Sequence, residues 1–382
     1  MAGAVTWVWW QSRQPPELKS TAPPAAATNR PTAGPRTTSL PLAVTIRTNA
    51  PPPRAVATSP PPVRPVRTAL PPALAVTTAP PPLVTRTNLP PVPPGDYPRP
   101  VQNVFEAQLA LARQGISPGS LDGVMGAQTQ SALRAFQAKE GLSLSGALDA
   151  DTKARLVLDA PPLTAYVVTT NDLARLQPLQ PTWLGKAEQS ALDYETILEL
   201  VAEKGEAHPN LIRRLNPGLD WTEVRAGTTV EIPDVSDRND PASAALIRIH
   251  LATKTLEVFD ADMNLLAHFP CSIAQRVEKR PVGELHVAVI APNPNYTFNP
   301  EVFPESAEAR ALNRKLILPP GPNNPVGVAW IGLDRPGYGI HGTPNPEQVG
   351  RTESHGCFRL ANWNAEYLLK RVWIGMPVRV EP

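Results

Sequence analysis

The 382-residue chain contains only two cysteines, Cys271 and Cys357. That scarcity rules out the dense disulfide framework of small secreted domains, and leaves at most one Cys271–Cys357 bridge in an oxidising compartment. No stretch approaches the roughly 20 consecutive apolar residues of a membrane-spanning helix. A large excess of one charge is also missing, since the formal net charge is +2. No nucleic-acid partner is expected. The opening A-G-A-V-T-W-V-W-W has no basic residue before it. It reads as the tail of a signal peptide or membrane anchor whose first part is missing, so an N-terminal membrane tether is one expectation.

The near-balanced charge hides an asymmetry. The first hundred residues carry nine Arg and Lys19 against Glu17 and Asp96, which leaves this arm about +8. A dilute basic arm suits an anionic cell-wall polymer or membrane surface, or simply keeps the chain soluble. The arm is also rich in proline, with clusters at 51–53, 60–62, 71–72, 80–82 and 90–91, and Arg-Thr recurs at 47–48, 67–68 and 86–87. Proline removes amide donors and fixes φ, so neither helix nor sheet can propagate. Residues 1–95 are therefore expected to be a disordered or polyproline-II spacer, extended at about 3 Å per residue.

Composition changes at Asp96. Phe105, Leu109, Leu111 and Ala112 have helical spacing; a second helix is expected over 128–140 with Leu133 and Phe136 inward, and a third begins where Asp149 or Asp151 can cap it. The set Leu121-Asp122-Gly123, Gly126, Thr129, Ala132, Phe136-Gln137, Gly141-Leu142, Gly146, Asp149 and Thr152 resembles the three-helix peptidoglycan-binding domain, here over 96–160. The resemblance implies binding to the wall polymer. Over 161–240 the pattern is strand (Tyr166–Val168), helix (194–204), helix (210–215) and strand (Val230–Ile232), with L-N-P at 215–217 and G-T-T-V-E-I-P at 227–233. This resembles an α+β LysM carbohydrate-binding module. It departs from that pattern by about 20 extra residues, Trp183 among them, between the first strand and first helix.

From 241 to 382 short alternating segments dominate: 246–251, 256–259, 265–273, 283–290, 329–333 and 377–380. One helix is expected after residue 361, capped by Asn362. Many short strands at regular intervals argue for a sandwich or barrel. The whole chain thus reads as multidomain: a disordered arm, a small all-α module, an α+β module and a mainly-β domain.

The chemistry concentrates in G-I-H-G-T-P-N-P-E-Q-V-G-R-T-E-S-H-G-C-F-R-L, residues 339–360. Cys357 lies in a glycine-flanked turn with two histidines available, His355 two positions away and His341 sixteen. A thiol has a pKa near 8.5, so it needs a base or a neighbouring cation to act as a nucleophile at neutral pH. Either histidine can serve. Contact with the sulfur is easier from a neighbouring strand carrying His341, while His355 is placed to line the pocket. Gly356 frees the backbone so that its amide and that of Cys357 can face a developing oxyanion, and Arg359 can hold a carboxylate or the loop itself. Zinc bound by His341, His355 and Cys357 is the rival reading, with no fourth ligand nearby. Cys271, in F-P-C-S-I, reads as a small buried hydrophobe. His208, His250, His268 and His286 read as structural or surface residues.

H-G-T at 341–343 and S-H-G-C-F-R-L at 354–360, together with P-G-P-N-N-P-V-G-V-A-W-I-G-L at 320–333 and P-G-Y-G-I at 336–340, resemble the L,D-transpeptidase catalytic domain (YkuD family). One departure is R-P-V-G at 280–283, where that family usually shows T-P-x-G. The resemblance implies a β-sandwich-like domain without metal or cofactor, located in the cell envelope and acting on peptidoglycan stem peptides and glycan strands. Cys357 would attack the carbonyl between an L-centre and the following D-residue, forming a thioester that an amine acceptor releases. His341 would be the base, oriented by a carbonyl near Gly342. Ser354, His355, Gly356 and the Cys357 amide would shape the oxyanion site, with Arg359 in support. Tyr296, Trp330 and Tyr338 are candidates for the substrate cleft. Water as acceptor would give a carboxypeptidase, and a protein lysine would give attachment of a protein to the wall. A non-catalytic wall-binding protein is the rival from another class. The sequence leaves the oligomeric state open.

Overall fold

The computed structural model describes residues 96–236, 243–302, 306–352, 354 and 356–382. The proline-rich arm and the apolar start lie outside the described residues. So does His355. No helix among the described residues is long and apolar enough to cross a membrane.

The first module runs β1 (Arg99–Pro100), α1 (Val104–Arg113), α2 (Ala127–Lys139), α3 (Ala150–Arg155) and β2 (Val157–Leu158), with β1 and β2 antiparallel. Asn103 and Asp149 cap α1 and α3 by accepting the amides of Glu106 and Thr152, which satisfies first-turn donors that the helix itself cannot pair. Two buried glutamines organise the glycine-rich turns. Gln108 donates to Asp122 Oδ1 at 2.8 Å and Thr129 Oγ1 at 3.0 Å and accepts from the Gly123 amide at 2.7 Å. Gln137 donates to Ser145 Oγ and Thr152 Oγ1, both at 2.9 Å, and accepts from the Gly146 amide at 2.8 Å. Each amide thus replaces the hydrogen bonds that a turn-rich backbone cannot make with itself.

The second module runs β3 (Leu163–Val167), α4 (Thr170–Ala174), α5 (Trp183–Glu188), α6 (Ile197–Lys204), α7 (Pro209–Leu215) and β4 (Thr229–Pro233), with β3 and β4 antiparallel. The extra residues in its first connection hold two short helices, α4 and α5, that the sequence pattern did not suggest. A Thr169–Asp172 capping box starts α4. The first two modules share one core: Leu109, Leu111, Leu133 and Phe136 belong to the same apolar cluster as Leu200, Val201 and Ile212.

The third module contains β5 (Leu246–His250), β6 (Thr255–Phe259), β7 (Leu265–Pro270), β8 (Gly283–Pro292), β9 (Tyr296–Phe298), α8 (Ala307–Leu312), β10 (Leu316–Leu318), β11 (Ala329–Leu333), β12 (Gly339–His341), β13 (Phe358–Arg359), α9 (Asn362–Leu369) and β14 (Pro377–Glu381). Eight strands form one sheet in the order β13-β12-β11-β8-β14-β5-β6-β7. Ser272, just past β7, exchanges backbone hydrogen bonds with Arg359 on β13, so the two ends of the sheet meet. A single sheet curled onto its own edge thus replaces the two facing sheets of a sandwich, and the closing pair removes unpaired edge donors beside the reactive stretch. Ile247, Ile249, Leu256, Val258 and Phe269 fill its core.

Several docking contacts position the first two modules. Gly115–Ser117 pairs with His268 along β7: Ser117 N donates to His268 O at 2.8 Å, and His268 N to Gly115 O at 3.1 Å. Another contact is made by the extra residues of the second module. Trp183 stacks on Phe298 with centroids 4.4 Å apart at 18°. Leu179, Leu184 and Leu192 pack into the same small cluster as Leu316 and Leu318. The β9–β10 ribbon pairs with no other strand among the described residues, so its apolar face is covered by another module and not by the main sheet.

Replacing Gln137 with Leu is expected to destabilise the first module by about 3 kcal/mol, because it orphans several buried groups at once. Hydrogen exchange should show the Gly146 amide losing protection first. Unchanged protection there would contradict this account of the turn.

Candidate active site

β12 and β13 run parallel, with Ile340 opposite Phe358 and His341 opposite Arg359. One step back in that register, Cys357 stands beside Gly339. Residues two apart on a strand share a face, so Cys357 and Arg359 lie on the face that carries His341. β11 places Trp330 directly across from His341. The two rings stack, 5.6 Å between centroids at 24°. Gly339 makes room for this stack, since a Cβ there would lie 2.7 Å from the Trp330 ring.

His341 is buried, and its Nδ1 lies 2.6 Å from the Gly342 carbonyl oxygen. A carbonyl only accepts, so Nδ1 carries the hydrogen and Nε2 keeps its lone pair. Burial pushes the imidazole down to about 4; the bond to Gly342 opposes this and the Arg359 charge adds to it. The Cys357 thiol is raised by burial, while the Gly339 amide and the Arg359 guanidinium both favour the thiolate. Its S–H points at the Gly337 carbonyl, 3.5 Å away. The resting pair is therefore a neutral thiol with a neutral imidazole. Of the two ways to activate the sulfur, these electrostatics favour a base that takes the proton over a resident imidazolium.

Ser354 staples the turn before the cysteine. Its hydroxyl donates to Cys357 O at 2.5 Å and accepts from the Gly356 amide at 3.2 Å, while its amide donates to Ile273 O at 2.7 Å. The Gly356 N–H is thus engaged within the turn. The Cys357 N–H takes no partner among the described residues.

The aromatic candidates separate. Tyr296 is brought to the site: its hydroxyl is pushed up to about 12, by burial first and then by the Cys357 sulfur nearby. Trp330 packs on the His341 ring. Tyr338 belongs to the β11–β12 turn, where its carbonyl accepts from Leu333 N at 3.0 Å and Arg335 lies 4.8 Å over its ring. Cys271 is fully buried, its thiol raised by burial, and both cysteines are free. Among the described residues no three His, Cys, Asp or Glu side chains converge as metal ligands. His268 is buried between Glu257 and Ser131, at 3.4 and 3.3 Å, and serves to join modules.

Sequence reasoning gave one residue the wrong role. Asn362 is not the cap of α9; Ala361 holds that position without a side-chain bond. Asn362 is buried inside the first turn, and its Oδ1 accepts the amides of Thr343 at 3.0 Å and Val328 at 3.4 Å. Gly327 and Gly342 close over it, since a Cβ on either would fall within 2.2 Å of that oxygen. The glycines in P-V-G-V and H-G-T were the available signal: each sits where a side chain would collide with something buried.

Residues 244–380 match the family model YkuD, "L,D-transpeptidase catalytic domain", and residues 100–156 match PG_binding_1, "Putative peptidoglycan binding domain". A Bacillus licheniformis protein named "Putative L,D-transpeptidase YkuD" is 28% identical over 185 residues, which is 48% of this chain and 93% of that one. An Escherichia coli protein named "Probable L,D-transpeptidase ErfK/SrfK" is 28% identical over 180 residues, covering 47% of this chain and 57% of that protein. Among solved structures, an L,D-transpeptidase from Xylanimonas cellulosilytica aligns over 74% of this chain and 98% of its own at 15% identity, with a TM-score of 0.32. The chain carries an L,D-transpeptidase catalytic domain and a peptidoglycan-binding domain.

Because His341 is held neutral well below the usual imidazole range, acylation of Cys357 should not fall away near pH 6.5. Its final acid limb is expected near pH 4. Single-turnover acylation rates between pH 3.5 and 8 test this, and a single limb at the ordinary imidazole value would contradict the assigned environment.

Proposed function

We propose that the L,D-transpeptidase domain acts on peptidoglycan stem peptides, with Cys357 as nucleophile and His341 as base, and forms cross-links by transfer to an amine. The observation that carries this reading is the β12–β13 register, which sets the thiol on the face of an imidazole whose Nδ1 is already committed to Gly342.

His341 Nε2 takes the thiol proton as the sulfur adds to the carbonyl carbon between the L-centre and the following D-residue. The carbonyl oxygen becomes an oxyanion, for which the Cys357 N–H, without a partner among the described residues, is the assigned donor. Collapse breaks the peptide C–N bond, His341 returns the proton to the departing amine, and a thioester remains on Cys357. An acceptor amine then adds to the thioester and gives its proton to His341. The new amide leaves and the thiol recovers its proton, so the enzyme ends as it began. Arg359 favours the thiolate character that develops during attack and disfavours a resting imidazolium. Ser354 keeps the turn in place, and Tyr296, with Trp330 behind the base, contributes to the donor cleft. His355 is assigned a pocket-shaping role on the sequence pattern alone.

The peptidoglycan-binding domain would hold the enzyme on the polymer, in the cell envelope. The β3–β4 module, read as LysM-like, would add a glycan contact, and the basic arm would span the distance to its anchorage.

The test is a purified full chain given a stem tetrapeptide and an amine acceptor. Intact mass should show one acyl adduct on Cys357, and Cys357→Ala should lower turnover by at least ~10³-fold while binding to sacculi persists. Undiminished turnover in that variant, or a thiol reagent that labels Cys271 and spares Cys357, would sink the proposal.

A further inference from the structure

The Gly342–Thr343 peptide unit is hydrogen-bonded on both edges. Its carbonyl accepts from His341 Nδ1 at 2.6 Å, and its N–H donates to Asn362 Oδ1 at 3.0 Å. The Asn362 amide is held in turn. Its Nδ2 donates to Pro322 O at 3.1 Å and to Glu203 Oε2 at 3.3 Å. Glu203 belongs to α6, in the second module, 159 positions away in sequence. From carboxylate to imidazole the chain of donors and acceptors is unbroken: carboxylate, side-chain amide, peptide unit, ring. Each member polarises the next in the same sense, because an amide whose N–H is drawn toward an acceptor has a more basic carbonyl.

We propose that Glu203 is a positioning residue for the reaction. Working through Asn362 and the Gly342–Thr343 peptide, it fixes the orientation of His341 and raises the basicity of Nε2. A carboxylate on histidine is the usual arrangement in hydrolytic triads. Here the carboxylate stands two amide groups away and comes from a different module, so the reactive face is complete only when α6 is docked. The inference rests on His341 being the base.

The surroundings of Glu203 suit a group that changes charge. The Tyr194 hydroxyl donates to its other oxygen at 3.3 Å. Glu199, one turn earlier on α6, and Glu366 on α9 both oppose its ionisation, and burial opposes it most, so the carboxyl is pushed up to about 7. Lys204 and Glu206 of the second module, and Lys370 and Arg371 beyond α9, line the same cavity of about 370 Å³. On the imidazole side the charged or titrating neighbours are Arg359 and Cys357. A relay charged above neutrality and neutral below it should leave a small step in the rate profile, separate from the His341 limb.

The experiment uses the full chain with Glu203→Leu, Glu203→Gln and Asn362→Ala, singly and combined. Glu203→Leu removes the acceptor and is expected to lower kcat by ~10-fold with KM within ~2-fold. Glu203→Gln keeps an acceptor for Asn362 and should restore most of kcat, while erasing the step of ~2- to 3-fold near pH 7 that the native chain shows. The Glu203→Leu/Asn362→Ala pair should be no slower than Asn362→Ala alone, because a relay broken twice is broken once. Should Glu203→Leu fail to fold, Glu203→Asp keeps the charge, shortens the reach to Asn362 and is expected to lose activity in the same way.

Unchanged kcat in Glu203→Leu or Glu203→Asp, or additive losses in the double variant, would overturn the proposal. A loss of melting temperature with kcat and the pH profile intact would also overturn it, since that is a purely structural contact. NMR titration of the His341 ring in the native and Glu203→Gln chains needs no substrate. A native chain without stem-peptide turnover would therefore sink the functional reading, while the titration still decides the relay. An identical His341 midpoint in both chains would count against it.

Discussion

One buried side-chain amide holds the reactive face together. Asn362 satisfies all its hydrogen-bonding capacity with four groups from three segments: Pro322 and Val328 of the β10–β11 connection, Thr343, and Glu203. Trading the amide in that position for an apolar residue is costly, because the backbone groups it serves are buried with it and would be left unpaired. It also leaves no room for a side chain on Gly327 or Gly342. The peptide that orients His341 is therefore fixed by sterics on one side and by hydrogen bonds on both edges.

The charge arrangement follows from this enclosure. Burial disfavours both the imidazolium and the thiolate, so the resting site stores no ion pair. Arg359, on the same face, supplies a fixed positive charge that becomes more favourable as negative charge develops on sulfur. Electrostatic help of this kind appears during the reaction and is small before it, which is where it lowers a barrier. Enclosure also separates the two cysteines. Cys271 is wholly buried with a raised thiol, while Cys357 stands at the edge of the sheet, where its backbone N–H has no partner among the described residues.

The modules are not independent beads. The first two share a core, the loop after α1 extends the edge of β7, and the residues that lengthen the second module cover the β9–β10 ribbon. A two-stranded ribbon of three residues a side has little stability of its own. Trp183 and the leucines around it therefore decide where the ribbon lies, and with it Tyr296.

Much of this was legible in the chain itself. Helical spacing, with Asp149 or Asp151 as cap, located the three helices; the alternation of Ile247, Ile249 and Leu251 marked one face of a strand, now seen in the core; and H-G-T with S-H-G-C singled out Cys357, His341 and His355 as candidates. These signals are local, because strand faces, caps and turn residues act over a few positions. Asn362 was misread for the same reason: by local rules an asparagine before a helix is a cap. Its partners lie up to 159 positions away, and no short pattern reports them. Likewise the residues around Trp183 read as a departure from a module's pattern, and only the packed structure shows them supporting a strand pair in the next one. The sequence by itself named the candidate thiol and the two candidate bases. The tertiary structure decided which of the nearby amides lacks a partner among the described residues, how the His341 ring is held, and that a carboxylate from another module reaches Asn362 behind it, because those outcomes depend on burial and on contacts between distant segments.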